Sequence, residues 1–185
     1  MNLPNKLTIL RLIFIPFYVF FLLTSFFKLS SLVAALIFGL ASLTDLADGK
    51  IARARNLVTD FGKFADPLAD KILVMSAMVC FVALGRMPAW VCIIILAREF
   101  AVSGLRLIVA GKGVVLAAGR WGKYKTAFQM IMSVFMTLDV SAFGLKGGLF
   151  KAYNILTLAL MYISLALTII SMVDYFYKNR KSISM

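Results

Sequence analysis

The stretch TDLADGKIARARNLVTDFGKFADPLADK, from Thr44 to Lys71, interrupts a chain otherwise dominated by apolar residues. Four of its aspartates, Asp45, Asp48, Asp66 and Asp70, make up half of the chain's eight acidic residues. Across the 185 residues, 62% are hydrophobic and the mean hydropathy is +0.95, well above the roughly 45–50% apolar share of a soluble domain. At about 20 residues per crossing, this length and composition predict an all-α polytopic membrane protein with one domain, residues 1–185.

Working outward from the stretch, apolar runs recur at about Leu7–Phe27, Ser31–Ala47, Leu68–Leu84, Pro88–Val109, Thr126–Phe143 and Ala152–Tyr177. They predict six transmembrane helices with both termini on one side of the bilayer. The side follows from the twenty lysines and arginines, because short cytoplasmic segments carry the excess of positive charge. One set of ends holds sixteen of them, from Lys6 and Arg11 through Lys50–Lys71 and Arg98–Lys125 to Lys178, Arg180 and Lys181. The other ends hold Lys28, Arg86, Lys146 and Lys151. Both termini and the aspartate stretch are therefore expected in the cytoplasm, at the cell membrane.

Two cytoplasmic segments, Gly49 to Ala65 and Gly111 to Lys125, read as longer and more polar than the external turns. Gly111, Gly113, Gly119 and Gly122 mark the second as a loop between helices. Pro16 is expected to kink the first helix or to separate a short interfacial helix, Asn5 to Ile15, from the span. The N-terminal run is long, lacks a small-residue cleavage site and contains Arg11, so it reads as a retained helix. No internal repeat or linker is visible.

The chain has two cysteines, Cys80 and Cys92, and no histidine. Their spacing offers no zinc site, and they read as buried apolar thiols. Without histidine, a general base near neutral pH must be a carboxylate, a lysine, a tyrosine or metal-bound water. The net charge of +12 sits at membrane boundaries without a nucleic-acid motif, which argues against a nucleic-acid partner.

Asp45 and Asp48 are three residues apart and Ala52 four further on, so a helix continuing the second span places them on one stripe. Gly49 and Arg53 fall on the neighbouring stripe. Asp66 precedes Pro67, an arrangement suited to the start of the third span, and Asp70 lies one turn deeper on the same face. Two carboxylate pairs on consecutive helices repel one another and are costly near a bilayer unless neutralised. All-oxygen ligation favours a hard divalent cation, Mg²⁺ with Mn²⁺ or Ca²⁺ as alternatives. Two such ions would form the clamp used in phosphoryl transfer.

Written with its gaps, the stretch is Asp45-x2-Asp48-Gly49-x2-Ala52-Arg53-x8-Gly62-x3-Asp66-x3-Asp70. It resembles, at every position, the signature of the CDP-alcohol phosphotransferase family. That resemblance implies six transmembrane helices, a homodimer, a cytoplasm-facing cavity and a divalent-metal site of two Mg²⁺ or Mn²⁺ ions. It also implies transfer of a phosphate-linked group from a CDP-activated donor to an alcohol, with release of CMP. By the same resemblance Asp45, Asp48 and Asp66 are metal ligands and Asp70 a metal-proximal catalytic base. Asp48, Gly49, Ala52 and Arg53 are donor-contacting positions, with Gly62 letting the two helices converge.

The segments NLPNKLTILR (Asn2 to Arg11), DPLADK (Asp66 to Lys71), AREFAVSGLR (Ala97 to Arg106) and GKYKT (Gly122 to Thr126) are most similar to the bacterial phosphatidylglycerophosphate synthases of that family. They imply CDP-diacylglycerol, drawn from membrane lipid, as donor and sn-glycerol 3-phosphate as acceptor. The acceptor is an anion that needs cations of its own, and Arg98, Arg106, Lys123 and Lys125 are available. Arg98 and Arg106 interrupt an apolar run, which marks them for a bundle-lining role. Glu99, Ser103 and Arg106 fall at i, i+4 and i+7, a stripe able to hold an arginine in a fixed orientation, with Arg98 on a neighbouring face. Another acceptor, inositol phosphate or phosphatidylglycerol itself, would use the same chemistry. A divalent-metal transporter, or aspartates acting only as helix caps, are readings from other classes.

Overall fold

The computed structural model describes residues 3–24, 26–54, 60–111, 119–144 and 146–183, with side chains outside the described residues for 1–7, 45–67, 70, 110–118 and 181–185. Six helices follow in order: α1 (Leu3–Thr24), α2 (Ser30–Ala54), α3 (Asp60–Ala83), α4 (Ala89–Gly111), α5 (Arg120–Thr137) and α6 (Gly147–Ile183). No strand occurs among the described residues. Each helix takes up one of the six apolar runs.

The helices differ from the sequence expectation at their polar ends. Helix α1 runs through Pro16 unbroken, so there is no separate interfacial helix; the missing N–H leaves the carbonyl of Leu12 without its intrahelical partner. Helix α2 continues to Ala54 and α3 begins at Asp60, so most of the expected Gly49 to Ala65 loop is helical. Ala47, Lys50, Ala52, Arg53 and Ala54 favour helix strongly enough to extend it past the apolar run. Asp66 and Pro67 consequently lie at the end of the second turn of α3 and not in its first. Helix α5 begins at Arg120, so Gly122, Lys123 and Lys125 are helical and the expected loop ends earlier.

The helices form two packed groups, residues 1–86 with 133–152, and residues 87–132 with 153–185. In the first, α1 packs against α2 and α3. Small residues make close approach possible: Ala34 and Ala41 are fully buried on either side of Phe38, as are Ala69 and Ala77 on α3. Tyr18 is fully buried, its ring 5.5 Å from that of Phe38 and its hydroxyl 2.9 Å from Thr137 Oγ1. The Thr137 hydroxyl itself donates to the Ser133 carbonyl, so Tyr18 is the donor between them.

Helix α3 ends in a glycine-terminated cap. Gly85 has φ of 67°, its N–H donates to the Val82 carbonyl, and the Arg86 N–H reaches back to Phe81, the paired bonds of a Schellman turn. That turn aims Arg86 at the end of α5, where Nη1 donates to the carbonyls of Met136 at 2.6 Å and Thr137 at 3.1 Å, and Nη2 lies 3.8 Å from Asp139. A guanidinium at a helix C-terminus satisfies orphan carbonyls and opposes the negative end of the dipole. The Ser141 hydroxyl donates to Asp139 and holds its carboxyl below the ordinary value, with help from the Ser141 and Ala142 N–H groups and Arg86.

Surface chemistry is inverted relative to a soluble bundle. On α2, Leu36, Leu40 and Leu43 are exposed while Ala34, Phe38 and Ala41 are buried. On α6 the buried stripe is Ser164, Thr168, Ser171 and Tyr175, and the exposed one includes Ile163, Ile169, Ile170, Val173 and Tyr177. Polar residues inward and large apolar residues outward suit a lipid surrounding. Among the described residues, α6 is the helix long and apolar enough to cross a membrane, over the 34 residues Gly147–Arg180, about 50 Å at 1.5 Å per residue. Thr8–Thr24, Ser30–Thr44 and Lys71–Ala83 are shorter apolar stretches, and α4 is interrupted by Arg98, Glu99 and Arg106.

Candidate functional site

The aspartate constellation rests on α2 and α3. The backbone of α2 is helical through Asp45, Asp48, Gly49, Ala52 and Arg53, and that of α3 through Gly62, Asp66 and Asp70. The three- and four-residue spacings are thus carried on helices, as the sequence predicts. The side chains of all eight residues lie outside the described residues. The donor set of residues 45–70, carboxylates with no imidazole or thiol, fits a hard divalent cation.

Helix α1 brings a cation to the same packed group. Arg11 is among the largest fully buried side chains, with Thr8, one turn before it, also fully buried. A guanidinium withdrawn from water requires counter-charge and acceptors, and Arg11 is engaged rather than free. Sequence reading gave Arg11 no place in the site; its signal was a charge inside the apolar run Leu7–Phe27.

The second group contains a buried ionic cluster. Lys125 and Arg98 are 3% and 6% exposed. Lys125 Nζ pairs with Glu99 Oε1, to which Arg98 Nη1 also donates at 3.3 Å. Arg98 Nη2 donates to Ser171 Oγ on α6 at 2.7 Å. One carboxylate therefore serves two buried cations, and an α6 hydroxyl fixes the fork of one of them. The next turn of α5 adds Gln129, whose amide donates to Thr168 Oγ1 at 3.2 Å.

Of the basic residues expected to bind the acceptor, the structure joins Arg98 and Lys125 through Glu99. Arg106 is exposed, its guanidinium carbon 5.5 Å from the centroid of the Tyr175 ring, within cation–π range. Lys123 is exposed on the first turn of α5. The arginine that Glu99 holds is thus Arg98 and not Arg106, because Lys125 and Ser171 arrive on that side of α4. The sequence reading missed the role of Glu99 as common counter-ion and the inward polar stripes. Their signal was present: Lys125, Gln129, Ser133 and Thr137 recur every fourth residue on α5 and are all buried.

Against known proteins, the sequence model of the CDP-alcohol phosphatidyltransferase family matches residues 1–170. The chain is 41% identical to a Bacillus subtilis (strain 168) protein named CDP-diacylglycerol–glycerol-3-phosphate 3-phosphatidyltransferase, across 96% of this chain and 95% of that one. Proteins of the same name from Rickettsia felis and Rickettsia typhi are 40% and 41% identical, over 97% and 95% of this chain and 96% and 95% of theirs. The chain belongs to the CDP-alcohol phosphatidyltransferase family, a family of membrane enzymes.

Proposed function

We propose that this member of the family transfers the phosphatidyl group of CDP-diacylglycerol to sn-glycerol 3-phosphate, giving phosphatidylglycerol phosphate and CMP. The observation that carries this reading is near-end-to-end similarity, at about 40% identity, to relatives that bear the name of that activity, in a chain with the complete aspartate signature. Six membrane crossings with both termini cytoplasmic, an active site facing the cytoplasm and a homodimer complete the proposal. The sixteen-to-four distribution of basic residues supports that orientation.

Asp45, Asp48, Asp66 and Asp70 would hold Mg²⁺ or Mn²⁺, in a pair of ions, which when bound neutralises the donor pyrophosphate and the departing CMP. Asp48, Gly49, Ala52, Arg53 and Gly62 form the donor-contacting positions, with Arg53 supplying positive charge on the phosphate side. The acceptor hydroxyl oxygen bonds to the phosphorus of the phosphatidyl group as the bond from that phosphorus to the CMP oxygen breaks. Asp70 takes the hydroxyl proton. Arg98, Arg106, Lys123 and Lys125 serve the acceptor phosphate; Arg106 and Lys123 meet it from exposed positions, while Arg98 and Lys125 supply charge from the Glu99 cluster.

The test is CMP release by purified protein in lipid–detergent micelles, given CDP-diacylglycerol, Mg²⁺ or Mn²⁺ and one acceptor at a time, with a chelator control. Chelator-sensitive release with glycerol 3-phosphate is expected. Release with inositol phosphate or phosphatidylglycerol alone would overturn the acceptor and keep the donor chemistry. Absence of release with every acceptor, alongside metal uptake into proteoliposomes, would point to transport.

A further inference from the structure

Tyr175 is buried, 4% exposed, and its hydroxyl has no hydrogen-bond partner among the described residues. One turn earlier on α6, Ser171 accepts from Arg98, whose Nε–H is likewise buried without an acceptor among the described residues. Buried polar groups are almost always paired, so each orphan needs an explanation. Here two orphan donors belong to residues tied to the same turn of α6, and Arg106, an exposed residue, lies across the Tyr175 ring. Two arginines from α4 therefore reach the segment of α6 that carries Tyr175.

The resident carboxylates of this group do not complete the set. Glu99 is occupied by Lys125 and Arg98, and Asp174 by Lys178, whose Nζ lies 2.7 Å from its Oδ1. An arginine offers donors alone and a tyrosine hydroxyl can donate one proton. The ligand that such a set fits is an anion with several acceptor oxygens, at a site where guanidinium groups supply the charge. A phosphate monoester has that chemistry.

We propose that the Tyr175 hydroxyl donates to the acceptor's phosphate, with Arg106 held over its ring and Arg98 beside it, making Tyr175 a specificity-determining residue for phosphorylated acceptors. The identity of that phosphate as glycerol 3-phosphate rests on the function proposed above. The donor set itself does not.

Tyr175→Phe removes the hydroxyl and keeps the ring beneath Arg106. Initial rates of CMP release are measured against glycerol 3-phosphate at saturating donor, and against CDP-diacylglycerol at saturating acceptor. The acceptor KM is expected to rise about 10-fold, equivalent to about 1.4 kcal/mol, with the donor KM unchanged. Because no hydrogen bond within the protein is lost, the ligand-free variant is expected to melt no lower than the parent. An acceptor KM within twofold of the parent, or a lower ligand-free Tm with both KM values disturbed, would overturn the proposal.

A binding arm separates this proposal from the function on which it leans. Thermal unfolding of both proteins is followed with added glycerol 3-phosphate and with added inorganic phosphate. Stabilisation of the parent that is lost in Tyr175→Phe supports the site even if no CMP is released with that acceptor. Equal stabilisation of both proteins, or of neither, overturns it. Stabilisation of the parent by phosphatidylglycerol micelles alone would assign the site to a lipid headgroup and overturn the acceptor role.

Discussion

Among the described residues Glu99 is the carboxylate that two buried cations share, and that arrangement yields a sharp prediction. In Glu99→Gln the side chain keeps its size and one acceptor oxygen but loses its charge, so Arg98 and Lys125, 6% and 3% exposed, lose the carboxylate they share. Removing one partner of a buried pair costs about 3–5 kcal/mol. The retained amide oxygen and the 15% exposure of the Glu99 side chain place this case at the lower end, about 3 kcal/mol. For a chain of this size about 1 kcal/mol corresponds to roughly 2–4 °C, so Tm is expected to fall by roughly 6–12 °C. Lys125→Met should be much milder, because it removes one cation and leaves Arg98 paired with Glu99 at 3.3 Å. Adding Lys125→Met to Glu99→Gln should recover part of the loss, because one of the two opposed charges is gone. Fluorescence-monitored unfolding in detergent micelles at fixed lipid content reads all four proteins. If Glu99→Gln and Lys125→Met lower Tm equally and their effects add, the shared counter-ion argument is wrong.

Asp70→Asn is expected to reduce turnover by about 10²- to 10⁴-fold, the usual contribution of a general base, while CDP-diacylglycerol still stabilises the protein against heat; near-normal single-turnover CMP release would refute the base assignment. Arg86→Met removes two charge-assisted bonds to the carbonyls of Met136 and Thr137, each worth about 1.5–3 kcal/mol, and should lower Tm without changing the acceptor KM; a change in that KM alone would argue for a substrate role. Asp139 ionises below its ordinary value of 3.8, chiefly because the Ser141 hydroxyl donates to it. A lowered folded value means its contribution is complete above the ordinary value and is lost as pH falls through the folded one. Ser141→Ala should therefore differ in Tm from the parent at neutral pH and converge with it in acid, and a constant difference at all pH values would contradict this linkage.

The number of helices was legible because apolar runs of about twenty residues are a coarse signal that local detail cannot erase. Their ends were not, since the cue used was hydrophobicity while the helices are extended by residues such as Lys50 and Arg53, whose backbone preference is helical and whose side chains are polar. Pro67 misled for a related reason: proline suits a first turn, but α3 starts at Asp60 and passes through it. Of the two outcomes expected at Pro16, a separate interfacial helix does not occur, because α1 is continuous through it. The aspartate spacing was legible because it depends only on helical register. The Glu99 cluster was not, because it joins residues from α4, α5 and α6, far apart in sequence, and periodicity within one helix cannot say which neighbouring helix supplies the partner.

The same inversion that marks the membrane surroundings explains how this chain handles anionic reagents. An apolar exterior leaves hydrogen bonding to the interior, where Ser164, Thr168, Ser171 and Tyr175 on α6 and Lys125 and Gln129 on α5 are buried. The two packed groups then divide the charge. The signature aspartates belong to the first, and as anions themselves they are suited to a pyrophosphate only with cations in attendance. Arg98, Lys123 and Lys125, with Arg106, belong to the second and suit a phosphate directly. Glu99 is shared by two buried cations, Arg98 and Lys125. Two buried cations sharing a carboxylate are costly beside well-packed apolar residues, and the anionic acceptor proposed above would give that cost a function.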